Sequence, residues 1–130
     1  MSTFAIHYEL LDYIHEIQIK SQGVDALRQV ITLTAQILSS EAGYNYLLID
    51  ARGAKLLPLR LLASELKRIS RQSGNVEASI AIIIHNQSFT DEMAVMIKTI
   101  LERDNVELFT SIDKARFWLE LQQKRHTSRI

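Results

Sequence analysis

Apolar and polar residues alternate at the start of the chain. Phe4, Ile6, Tyr8 and Leu10 are separated by Ala5, His7 and Glu9, and Tyr13, His15, Ile17 and Ile19 by Ile14, Glu16 and Gln18. A period of two is that of a half-buried strand. With only Leu11-Asp12 between the runs, they predict an antiparallel hairpin. Each run keeps a polar face, so neither reads as a central strand of a parallel sheet.

After Gly23 the period changes. Val24, Leu27, Val30, Ile31, Thr34, Ile37 and Leu38 recur at helical spacing and predict a helix to Ser39, with Gly43 beyond it as a cap residue. Tyr46-Leu47-Leu48-Ile49 is a continuous apolar run, as expected of a strand covered on both faces. Pro58 suits the first turn of a second helix, whose buried stripe is Leu59, Leu62, Ala63, Leu66 and Ile69. Residues 78–84 make the most hydrophobic strand, expected at the centre of the sheet. Ser88-Phe89-Thr90-Asp91 places a hydroxyl three positions ahead of an acid and opens a third helix, with Met93, Met96, Ile97 and Ile100 on one face. Residues 106–109 form a last short strand. Thr110-Ser111-Ile112-Asp113 then opens a final helix lined by Ala115, Trp118 and Leu119.

The order β-β-α-β-α-β-α-β-α predicts an α/β fold: a mainly parallel five-stranded sheet with right-handed crossovers and an antiparallel first strand at one edge. Ile14 and Phe117 fall off the predicted core faces, which makes both candidates for a homodimer interface.

Composition narrows this picture. The chain has 130 residues, enough for one domain, read as residues 1–123 with a flexible polar tail over 124–130. Fifteen basic residues balance fifteen acidic ones, so no long-range field steers nucleic acid to it, and no nucleic-acid partner is expected. The absence of cysteine excludes disulfides and thiol chemistry. The longest apolar run is far short of the roughly 20 residues that span a bilayer, and the first residues lack a signal-peptide pattern. A cytoplasmic protein without membrane insertion is the expectation.

Parallel strands aim their C-terminal ends at a common rim, where α/β folds collect working residues. Here that rim holds Asp50 and Arg52, then His85, Asn86 and Ser88, then Thr110 and Ser111. A carboxylate, an imidazole and hydroxyls together could bind a small anionic ligand or carry acid–base chemistry. The plainer reading is that Asp50 and Arg52 fix the turn while Ser88, Thr110 and Ser111 cap helices. No phosphate loop or dinucleotide fingerprint is present, because Gly53-Ala54-Lys55 lacks the earlier Gly and the hydroxyl after Lys. His7 and His15 fall on opposite faces of their strands and make no natural metal pair. No cofactor or metal is therefore expected.

Leu47-Leu48-Ile49-Asp50-Ala51-Arg52-Gly53 is similar to the strand, Asp and following Gly of the anti-anti-sigma factor fold, the STAS-type regulatory domains. Residues 106–111, with Ala115 and Trp118-Leu119, are similar to the ending of bacterial STAS-like proteins. The resemblance implies a right-handed β-α superhelix and a non-enzymatic role in binding a protein partner. In that family a Ser or Thr at the start of the second helix is the phosphorylated switch. The corresponding pair here is Pro58-Leu59, which cannot accept phosphate. The resemblance thus implies a constitutive, apolar partner-binding surface at Leu57, Pro58, Leu59 and Leu61. Lipid-binding CRAL-TRIO domains look like relatives of this fold. They imply the alternative of a small anionic or lipid ligand at a rim of Asp50, Arg52, His85, Ser88 and Thr110.

Overall fold

The computed structural model describes residues 6–20, 24–39, 44–53, 61, 64–65, 67–68, 77–85, 95, 99 and 106–127. Strands β1 (Ile6–Leu11) and β2 (Ile14–Ile19) form the antiparallel hairpin that the alternation predicts, with Leu11 paired to Ile14. The loop is therefore only Asp12-Tyr13. Both residues have positive φ, 51° and 67°. Two left-handed residues make the turn whose twist matches a two-residue hairpin. Asn-Gly would be the usual occupant, so the turn was invisible as a residue signature.

β2 leads into helix α1 (Val24–Ser39), followed by β3 (Tyr44–Asp50), β4 (Glu77–Ile83), β5 (Val106–Phe109) and the C-terminal helix α2 (Ile112–Thr127). The sheet runs β1-β2-β3-β4-β5. β1 is antiparallel to β2, and β2, β3, β4 and β5 pair in parallel. Leu61, Ser64, Glu65, Lys67 and Arg68 are helical, as are Val95 and Thr99, where the second and third helices are predicted. Gly23, Gly43, Leu57, Pro58, Leu59, Asn86, Ser88, Met93 and Met96 lie outside the described residues.

Each face of the sheet has its own core. On the α1 side, Ile17, Ile19, Leu47, Ile49, Ile80, Ile82, Val106 and Leu108 meet Ala26, Leu27, Val30, Ile37 and Leu38 of the helix. On the α2 side, Ile14, Leu48, Ala81 and Ile83 meet Ala115 and Leu119, with Tyr46, Phe109, Ile112 and Trp118 at the margin. Side chains alternate across a strand, so two covered faces require apolar residues at both parities, which explains the unbroken apolar runs of β3 and β4.

The structure departs from several of these expectations. Ile14 is not available to a dimer interface, since it is buried beneath α2. β2 lies inside the sheet, parallel to β3, and spends its second parity on Ile14 before turning polar at Glu16 and Gln18. The middle strand is β3 rather than β4, because the hairpin adds two strands on one side and only β5 lies beyond β4. Phe117 is exposed on α2. That helix continues to Thr127, so residues 124–127 extend it where the sequence reads as a polar tail. Among the described residues, no helix is long and apolar enough to cross a membrane.

Candidate functional site

β3 delivers Asp50 to the C-terminal rim on the α2 face, and the chain turns at once through Arg52 and Gly53. The parallel ladder carries the strand ends to this point: Ala51 N donates to Ile83 O at 2.8 Å, and Ile84 N to Phe109 O at 2.9 Å. The turn presses against β2 so closely that a Cβ on Gly53 would lie 2.7 Å from the Ile19 carbonyl oxygen.

The Asp50 side chain is only 8% exposed and is fully engaged by its neighbour. Arg52 donates from its backbone N to Oδ1 at 3.1 Å, from Nε to Oδ1 at 3.0 Å and from Nη2 to Oδ2 at 2.8 Å. This two-point fork is the strongest geometry between these groups. The hydrogen bond it donates to Asp50 raises the Arg52 pKa, against a smaller lowering by burial and by the positive charge of Arg116.

Arg116 repeats the arrangement from α2. Its Nε donates to Glu16 Oε2 at 2.9 Å and its Nη2 to Glu16 Oε1 at 2.8 Å. The Glu16 bond is the main reason its pKa is raised, with Asp113 and Glu9 adding further negative charge. Between the two forks lies a groove of about 220 Å³, lined among others by His7, Glu9, Gln18, Leu48 and Ile112. It exists because α2 lies over β3, β4 and β5 and reaches only Ile14 at the start of β2, leaving the rest of that face of β1 and β2 open. Nothing in the spacing of residues 16 and 116 signals their contact; both are polar positions beside apolar stripes.

The other rim residues that are described, His85, Thr110 and Ser111, do not line this groove. His85 is half-buried one residue beyond Ile84 and does not line it. Thr110 is exposed, and Ser111 caps α2, its Oγ accepting from Lys114 N at 3.4 Å and its carbonyl from Ala115 N at 3.1 Å. His15 packs on the opposite face, stacked on Tyr8, whose hydroxyl lies 2.7 Å from Nδ1; burial lowers its pKa. No three His, Cys, Asp or Glu residues among those described are grouped to hold a metal.

A second depression, of about 390 Å³, lies between α1 and the helical residues Leu61, Glu65 and Arg68. Leu27, Ile31 and Leu61 give it an apolar floor, and Arg28, Thr32, Glu65 and Arg68 a polar margin. Leu61 is exposed, whereas Glu65 and Arg68 are joined by a 2.9 Å bond from Nε to Oε2. No family model matches this sequence, and no curated protein is similar to it at a significant level.

Proposed function

We propose that this chain is a non-enzymatic, STAS-like regulatory or scaffolding domain that binds a protein partner without a phosphoserine switch. The reading is carried by the apolar depression beside Leu61. An exposed leucine over an apolar floor with a charged margin is the form that receives the apolar stripe of a partner helix. The resemblance of residues 47–53 and the β-β-α-β order support the family, whose right-handed winding is part of the proposal.

The rim weighs against catalysis. Oδ1 of Asp50 accepts twice and Oδ2 once from Arg52, so of the roughly four acceptor sites of a carboxylate only one, on Oδ2, is left for a substrate unless the fork breaks. A small anionic or lipid ligand at this rim is the competing reading. It would have to make do with the guanidinium donors that the forks leave over, or take Arg52 from Asp50 or Arg116 from Glu16 and leave a largely buried carboxylate unpaired.

The test is affinity capture from the source cells with wild-type and Leu61→Asp baits. Loss of the captured partners with unchanged circular dichroism is expected. Retention of the same partners by the variant overturns the surface. A thermal shift on anionic metabolites that Arg52→Gln abolishes would favour the ligand reading instead.

A further inference from the structure

We infer that the outer edge of β1 is an interface for a second copy of this chain, paired antiparallel about a two-fold axis through Tyr8. This does not rest on the partner surface at Leu61, which lies on another part of the molecule.

β1 is the terminal strand of the sheet, and among the described residues nothing pairs with its outer side. Natural edges are guarded by Lys, Pro, bulges or short length. Ile6-His7-Tyr8-Glu9-Leu10-Leu11 has neither Lys nor Pro and keeps regular register throughout. Two of its apolar side chains are also exposed, Tyr8 at 41% and Leu10 at 54%.

The hairpin determines which backbone groups are available. Its two-residue turn makes Leu11 and Ile14 a hydrogen-bonded pair. Hydrogen-bonded and non-hydrogen-bonded pairs alternate from there. His7 and Glu9 therefore direct their backbone groups at β2, and Ile6, Tyr8 and Leu10 direct theirs outward.

Symmetry then selects a register. Two copies of one strand that pair antiparallel about a two-fold axis normal to the sheet keep the same face up, so opposed residues have the same parity. Centring on Tyr8 opposes Tyr8 to its own copy, Ile6 to Leu10, and His7 to Glu9. The outward groups of Ile6, Tyr8 and Leu10 become the hydrogen-bonded pairs. The His7–Glu9 pair falls at a close, non-hydrogen-bonded position, where an imidazole N–H can donate to the carboxylate. Centring on Glu9 instead sets two carboxylates face to face. Centring on His7 opposes two imidazoles and shortens the overlap. Of these three registers, the one centred on Tyr8 matches backbone phase and apolar pairs and sets no like groups of His7 or Glu9 face to face.

The chain contains no cysteine, so single-cysteine variants report the register directly. Opposed Cα atoms of a hydrogen-bonded pair lie about 5.5 Å apart, within disulfide range, whereas positions one register step away do not oppose their copies. Mild oxidation of Tyr8→Cys is expected to give a covalent dimer, and Glu9→Cys or Leu10→Cys little. Sedimentation of the wild-type chain should show a species of twice the 14.9 kDa mass. Leu10→Pro removes only an outward N–H and should weaken association more than about tenfold, since symmetry deletes two bonds. A chain that stays monomeric to millimolar concentration, a dimer that Leu10→Pro leaves intact while folded, or preferential linkage of Glu9→Cys each overturns the proposal.

Discussion

Arg116 of α2 holds Glu16 of β2 in a two-point ion pair across 100 residues of sequence. It ties the last helix to the hairpin on the face where that helix covers only Ile14 beyond β3. The Glu16 side chain is 14% exposed and that of Arg116 41%, so solvent screens the pair only in part. Charged hydrogen bonds of this kind contribute about 1–2 kcal/mol after that discount. Arg116→Gln should lower stability by about that amount. A double-mutant cycle with Glu16→Gln, read by urea unfolding, should recover a coupling of about 1 kcal/mol. Additive single effects would show that the fork contributes nothing.

Gly53 is required by approach rather than by sequence habit. A methyl group there meets the Ile19 carbonyl oxygen, which is main chain and cannot rotate away. Gly53→Ala should destabilise by about 1–3 kcal/mol, the usual cost of overpacking. Equal urea midpoints for wild type and variant would contradict the packing described between this turn and β2.

The hairpin turn carries strain of the opposite kind. Tyr13 sits at φ 67°, where a side chain with a Cβ costs about 1–2 kcal/mol, and its ring is 83% exposed and so loses little packing on removal. Tyr13→Gly should therefore stabilise the protein by about 1 kcal/mol, less the entropy glycine adds to the unfolded chain. A fall in the thermal midpoint would mean that the tyrosine contributes contacts offsetting the strain.

His15 should titrate below its ordinary value of 6.5, because burial disfavours the charged ring. The unfolded chain then takes up the proton first as pH falls. The contribution of His15 to stability is present above pH 6.5 and lost as pH falls through the lower folded-state midpoint. Imidazole NMR shifts give that midpoint directly. A His15→Gln variant should show a shallower acid-side loss of stability than wild type, and an identical profile would remove His15 as its source.

Much of the fold could be read in advance because it rests on local periodicity. The two-residue alternation of Ile6, Tyr8 and Leu10, the helical spacing from Val24 to Leu38, and the apolar run Leu47-Leu48-Ile49 each declare an element from a few neighbouring residues. The carboxylate at the end of β3 was also legible, since an Asp after such a run must reach a rim. Its engagement by Arg52 is a contact two residues away and could be named as one alternative. The fork from Arg116 could not, because periodicity says which face a residue takes and nothing about which distant element covers that face.

The sequence by itself determined the five strands, the first and last helices, the hairpin and the rim that receives Asp50, all consequences of spacing along one strand or helix. Only the tertiary structure decided that Ile14 is core, that Glu16 belongs to Arg116, that His85 stands apart from the groove beside Asp50, and that β1 ends the sheet with its outer backbone unpaired among the described residues. Each of these depends on where α2 lies across the sheet and on which strand has no neighbour. Such placements arise from burial summed over the whole molecule, to which no short stretch of sequence holds the key.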